Sequence, residues 1–388
     1  MSPRVRIALV ALATCATIAA AGVALLARGD PATAAPPACR GADVLDFGCY
    51  ERRSLQIART DGAAAALRDL AGAMQDNGYL RAACHQLTHR IGRATGSGAG
   101  IAAFGAGDPV CGAGYYHGVT EAVMTKLGAR ASIARAATVC AGVRKPGRRA
   151  PDEANCVHGM GHGFMGVLRR SVKASLRACD GLREAWQRRD CYSGVFMENH
   201  ATAGETRASS LRPDEPLYPC TAVARRYKAP CYERQSTYAL FVSDGDFATV
   251  FGLCASAEPD FRSACHRGLG GDVAAETKLA GGGRAQAAAR RGLCMLGEGA
   301  RARADCVTGA AGQLLQDLDG GPAQLDAFCA ALEAVATQPA HAACLRASEA
   351  GYRALLAQQT SGDADAPSAV IGDFVCHLKA PAARRRAT

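Results

Sequence analysis

Apolar and polar positions fall into blocks along the chain. A stretch with helical spacing ends near a cysteine, as in Ala-Ser-Leu-Arg-Ala-Cys at 174–179. About ten polar residues follow, and a second cysteine then opens another apolar stretch. Such blocks predict pairs of helices joined by a polar turn. The first cysteines of the regular couples recur every 34–41 residues between Cys140 and Cys329. A period of this size, with two helices per unit, predicts an all-α chain built as an αα-solenoid, or helical-repeat array, of about seven right-handed helix pairs. Ala and Gly dominate the apolar fraction and aromatics are only 5%, which favours close-packed helices over a β-sandwich.

One apolar block is different. Arg4 and Arg6 precede an uninterrupted run over 7–26. Twenty residues at about 1.5 Å rise would span a bilayer core. The run is longer than a usual signal-peptide core, yet Ala32-Thr33-Ala34 offers a small-residue cleavage pattern. A signal-anchor and a cleaved signal peptide both fit. Either one implies export, membrane-anchored or secreted.

Export changes the reading of the eighteen cysteines. In an oxidising compartment they form disulfides. The sequential couples are Cys39/Cys49, Cys84/Cys111 (looser, with a longer insertion), Cys140/Cys156, Cys179/Cys191, Cys220/Cys231, Cys254/Cys265, Cys294/Cys306 and Cys329/Cys344, with one disulfide per repeat closing the turn between successive helices. Zinc knuckles need close Cys-x-x-Cys pairs, and the chain has none. Cys15 falls in the apolar run, and Cys376, beside His377, is left over. The second cysteines share a frame: Cys156-Val-His-Gly, Cys191-Tyr-Ser-Gly, Cys265-His-Arg-Gly and Cys306-Val-Thr-Gly. Tyr115-Tyr116-His117-Gly118 fits it, whereas Cys231-Tyr-Glu-Arg and Cys344-Leu-Arg-Ala lack the glycine.

Over roughly 80–355 the period, the cysteine couples and these glycines make the chain resemble the disulfide-stapled Sel1-like and TPR-type αα-repeat group. The Leu-Gly and Tyr positions of the Sel1-like consensus are not met. The resemblance implies an αα-repeat architecture and no catalytic activity.

The expected division is an N-terminal signal or anchor at 1–30, a linker and cap at 31–79, histidine-rich repeats at 80–200, structural disulfide repeats at 201–359 and a basic tail at 360–388. Within it, the Gly-rich stretch 92–114 reads as a mobile insertion and 201–219 as a polar loop. Trp186 and Met74 read as packing residues, and the isolated His266 and His341 as structural.

The candidate chemistry lies in the histidines. His85 and His89, His117 and Glu121, and His158 and His162 are three pairs at i, i+4. That spacing puts both members on one helical face and is how helices deliver metal ligands. In register His117 aligns with His158 and Glu121 with His162; later units carry Ser193, Arg267 and Thr308 there instead. The expected metal ligands are therefore His85, His89, His117, Glu121, His158 and His162, with Met165, Met197 and His200 as further ligands. Tyr116 and Glu198 are candidates for acid–base work, with Tyr115 beside them. Imidazole-rich sets suit copper, zinc or iron, and Met124, Met165 and Met197 at neighbouring positions lean the choice towards copper. Haem is a lesser alternative, since no Cys-x-x-Cys-His motif is present. The bland reading is that the position before the frame glycine simply takes a polar residue.

The net charge of +10 is scattered, with short runs at 144–149 and 384–386. No basic stripe is interleaved with aromatics, so no nucleic-acid partner is expected. The reading is an exported metal-binding protein, with an oxidative or hydrolytic metalloenzyme as its sharper form. The alternative is a non-catalytic solenoid that binds a protein or peptide partner.

Overall fold

The computed structural model describes residue 39 and residues 45–348, with breaks at 76, 144–149, 202–209, 278–282, 317–320 and 334–338. The apolar run, the cleavage pattern, the basic tail and Cys376 lie outside the described residues. Among the described residues no helix is long and apolar enough to cross a membrane.

Every regular element among the described residues is helical. The chain starts with α1 (Phe47–Thr60) and α2 (Ala63–Met74), which pack on each other and on α3 (Gly78–Ala99). Asn77 sets where α3 begins. Its side-chain oxygen accepts from Leu80 N at 2.9 Å, satisfying one of the helix's orphan donors, while its amide donates to Tyr50 Oη of α1 at 3.0 Å. From α3 onward the long helices form one row, each packed on the next. The row runs through α3, α4 (Gly114–Ala134), α6 (Ala150–Val167), α8 (Ala185–Ala201), α9 (Arg225–Val242), α11 (Arg262–Glu276) and α13 (Gly299–Gln316). Shorter helices precede members of the row and pack beside them: α5 (Ala136–Val139), α7 (Val172–Cys179), α10 (Phe247–Ser256) and α12 (Gly283–Met295). The last named helix, α14 (Gly321–Glu333), packs on α12 and α13. The arrangement is all-α and solenoid-like.

All eight expected cysteine couples are disulfides, with Cα–Cα distances of 5.4–6.0 Å. Several tie the end of a short helix to a long one: Cys179 closes α7 and Cys294 lies in the last turn of α12. Their partners, expected to open the next helix, instead sit one to two turns inside it, as Cys191 does in α8 and Cys306 in α13. The disulfide thus fixes the short layer onto the flank of the row. Each closes a loop of 10–27 residues and contributes about 3 kcal/mol through the unfolded state. Eight intrachain disulfides point to an extracytoplasmic environment.

The Cys39–Cys49 bond lies ahead of the helix row, in the expected cap region. Cys49 lies in the first turn of α1, and α1 is the first helix among the described residues. Its backbone N–H donates to the Asp46 side chain at 3.1 Å, the N-cap of α1. Cys39 is fully buried, whereas Cys49 is only partly buried against the core. This bond therefore pins residue 39 to the capped start of α1, and Cys49 belongs to the helix end rather than to a repeat.

The frame glycines explain how the row is spaced. A Cβ on Gly118 would collide with the His89 carbonyl, on Gly194 with that of His158, on Gly268 with that of Glu233, and on Gly309 with that of Arg267. At each crossing the backbone of one helix rests on the backbone of the helix before it. The Gly-rich stretch 92–114 is corrected on the same ground. It continues α3 to Ala99 and then forms a 3₁₀ turn at Gly100–Ala106. Gly92 and Gly96 are there because α3 meets Tyr115 and Val119 of α4 too closely for any side chain. Trp186, expected to pack, is 41% exposed. Met74 is partly buried against the core and His266 is buried, 5.7 Å from the Phe251 ring.

Gly194→Ala forces apart α6 and α8. The expected cost is about 1–3 kcal/mol in chemical denaturation. Gly166→Ala, where nothing lies within 4 Å, is expected to be neutral or stabilising by up to about 1 kcal/mol. Equal effects of the two substitutions would contradict the crossing role.

Candidate metal centre

The same crossings place the histidines. Gly114 and Gly118 of α4 lie against the His85 and His89 carbonyls of α3, Gly159 of α6 lies against His117 of α4, and Gly194 of α8 lies against His158 of α6. The residues touched are the histidine-bearing ones. With backbones in contact, imidazoles from neighbouring helices have nowhere to go but into each other's space. Ring centroids are 4.9 Å apart for His85–His89, 5.3 Å for His89–His117, 4.6 Å for His117–His158, 5.1 Å for His158–His162 and 5.0 Å for His89–His162. His117 is the hub, also facing His85 at 5.5 Å and His162 at 5.2 Å.

Three sets have ligand atoms all within 4.8 Å of one another: His85, His89 and His117; His117, His158 and His162; and His89, Glu121 and His162. Glu121 Oε1 lies 3.0 Å from His89 Nδ1 and 3.7 Å from His162 Nδ1, and its Oε2 lies 3.1 Å from Arg93 Nε. The carboxylate thus bridges two imidazoles and is anchored from outside by a guanidinium. Glu198 of α8 closes the far side, with Oε2 2.9 Å from His162 Nδ1 and Oε1 3.8 Å from Arg170 Nη1.

Hydrogen bonds orient the rings. His85 Nδ1 donates to the Cys111 carbonyl at 2.7 Å, which puts the proton on Nδ1 and leaves Nε2 a lone pair. The Cys84–Cys111 disulfide holds that carbonyl in place. His162 donates from Nδ1 to Glu198. His85 Nε2, His162 Nε2 and His117 Nδ1 are all buried without a hydrogen-bond partner, as is Glu121 Oε1, whose approach to His89 lacks hydrogen-bond geometry. A buried polar atom left unpaired costs roughly 1–3 kcal/mol. Three imidazole nitrogens and a carboxylate oxygen in one cluster form an unsatisfied set of the kind a cation satisfies.

Burial also keeps the rings neutral, the form that ligates metal. Desolvation lowers His85 to about 4 and takes His89, His117 and His158 well below their ordinary value, with the neighbouring imidazoles pushing the same way. His200 falls to about 3 for the same first reason, and its Nε2 is buried without a partner.

The structure brings all six expected ligands into one cluster. It places the other candidates unevenly. Met197 Sδ lies 3.3 Å from His158 Nε2, so it is a thioether at the cluster's edge. Met165 is buried in the core, and Met124 fills the helix seam at Gly163. Tyr116 packs with Phe104 and Tyr115, at ring distances of 5.1 and 5.7 Å, on the side of the 3₁₀ turn. Sequence reasoning missed Arg93 and left Glu198 without a partner. Arg93 stands at i+4 from His89, the one signal that pointed to it.

Comparison with known proteins returns nothing significant: no family model, no curated protein and no solved structure matches this chain.

The histidines make the metal-free protein acid-sensitive. The folded values of His85, His89, His117, His158 and His200 lie below the ordinary 6.5, so below that pH the unfolded chain binds protons the folded one refuses. Stability is full above about pH 6.5 and is lost as pH falls towards 4. Asp190 and Asp272, raised to about 6 by burial, act in the opposite sense below pH 6, but five histidines outnumber them. Denaturation midpoints measured with chelator are expected to be lower at pH 5 than at pH 7.5; an equal or higher midpoint at pH 5 contradicts this.

Proposed function

We propose that the chain is an extracytoplasmic metalloprotein whose histidine–carboxylate cluster binds one or two first-row transition-metal ions. The observation that supports this most is the convergence of three overlapping ligand sets on buried, unpartnered imidazole nitrogens. A structural polar position before the frame glycine would not require the rings to meet.

Imidazole and carboxylate donors suit zinc, copper and iron. Met197 is the thioether next to an imidazole, and it carries what remains of the lean towards copper. Haem is disfavoured, because rings in mutual contact leave no slot for a macrocycle between them.

The site is better suited to reactivity than to holding the fold together. Structural zinc sites close with four ligands, whereas this cluster has five imidazoles and two carboxylates. Eight disulfides already secure the scaffold. We therefore read the centre as that of a metal-dependent enzyme of oxidative or hydrolytic type. Glu198 is the carboxylate beside the ligands that would accept a proton, and Arg93 and Arg170 hold Glu121 and Glu198 in position.

The test is elemental analysis of chain produced with copper, zinc and iron supplied. Wild type is expected to retain at least one equivalent of one of these metals through dialysis. His117→Ala, which removes a residue common to two ligand sets and the hub of the ring contacts, is expected to lose most of it, whereas His266→Ala is expected to keep it. Metal-free wild type, or equal content in the two variants, would overturn the proposal.

A further inference from the structure

One crossing in the helix row has no glycine. At the register position held by Gly159, Gly194, Gly268 and Gly309, three residues after the cysteine, α9 carries Arg234. The position before the frame glycine, His158 in α6, is Ser193 in α8. The two replacements meet: Arg234 Nε donates to Ser193 Oγ at 2.7 Å. Between α8 and α9, where other crossings are backbone on backbone, a guanidinium occupies the seam.

This seam borders the metal centre. Gly194, next to Ser193, rests on the His158 carbonyl, and one turn on from Ser193 Met197 Sδ lies 3.3 Å from His158 Nε2. Arg234 is thus joined through Ser193 to the face of α8 that contacts the cluster.

Arg234 is a cation without a dedicated anion. Nearby Glu233 is bound by Arg189 at 2.8 Å and Arg267 at 3.1 Å. Asp272 accepts from Ser236 Oγ at 2.6 Å and Thr237 Oγ1 at 2.7 Å. Asp190 is the remaining acid near it and makes no ion pair with it among the described residues. Beyond Ser193, the guanidinium has no hydrogen-bond or ion-pair partner among the described residues. Arg234 is only partly buried. Its two terminal nitrogens present the fork that matches two oxygens of a carboxylate or phosphate. Nearby, a cavity of about 480 Å³ is lined from α8, α9 and α11 by Arg188, Arg189, Arg226 and Arg267, of which Arg189 and Arg267 share Glu233 and Arg226 pairs with Asp180.

We propose that Arg234 binds the oxyanion group of a small organic substrate and holds that substrate beside the histidine cluster. The inference rests on the metalloenzyme reading above and narrows its substrates to anions bearing a carboxylate or a phosphate. It also accounts for the chain's departure from its own frame at Cys231-Tyr-Glu-Arg.

The experiment uses the full chain as purified, with metal quantified in every sample and a thermal melt as a folding control. Acetate and inorganic phosphate are titrated by calorimetry into wild type, Arg234→Met and Arg234→Gln; the glutamine keeps a donor for Ser193 and loses the charge, so it serves if the methionine variant does not fold. Wild type is expected to bind one of the two anions, and the preferred one identifies the group. Both variants are expected to bind it at least about tenfold more weakly with metal content unchanged. Equal affinity in wild type and the variants, or no binding of either anion to metal-loaded wild type, would overturn the inference and leave the metal reading standing. Arg234-dependent anion binding to a wild type that holds no metal would sink the metal reading and leave Arg234 as an anion site.

Discussion

The structure depends on helices crossing backbone to backbone. A frame glycine three residues past a cysteine lets one helix settle on a carbonyl of the helix before it, at a distance no side chain tolerates. Helix-interior glycine costs about 1 kcal/mol relative to alanine. The cost is met by close packing along the row and by the disulfides, which reduce the entropy of the unfolded chain. A row spaced by ordinary side chains would hold the same histidines too far apart to meet.

Function follows from which residue stands at each crossing. In α3, α4 and α6 the residue touched by the glycine is a histidine, and five imidazoles with Glu121 are forced into one buried cluster. In α9 and α11 the residues touched are Glu233 and Arg267, and that part of the row carries charged networks instead. Where the glycine itself is replaced, by Arg234, the seam takes a cation. One spacing rule thus yields a histidine-rich half, a charged half and an arginine at the junction.

Much of this was legible in the sequence. Sequential cysteine couples could be read from spacing alone, because short loops leave little choice of partner, and the i, i+4 histidines announced a shared face. What each couple ties was less legible: Cys49 sits in the first turn of α1, whereas Cys191 and Cys306 sit one to two turns inside their helices, a difference that similar spacings do not carry. The Gly-rich stretch 92–114 looked like a loop, since glycine means either freedom or close approach and only the neighbour, α4, decides which. Glu198 and Met197 depended on the rotation of α8, which its weak amphipathic pattern leaves undetermined. Arg234 looked like a repeat that had lost its glycine, because a missing residue gives no hint of what its replacement faces. Tyr116 shows the converse: it is adjacent to His117 in sequence, yet about 100° of helical rotation turns it to the aromatic group at Phe104.

The central claim is that these imidazoles share metal, and X-ray absorption spectroscopy of the metal-loaded chain tests it most directly. The account predicts a first shell of nitrogen and oxygen at about 2.0–2.2 Å, with the multiple scattering of several imidazoles per metal that disappears in His117→Ala. A shell dominated by sulfur at about 2.3 Å, or one without imidazole scattering, would contradict it.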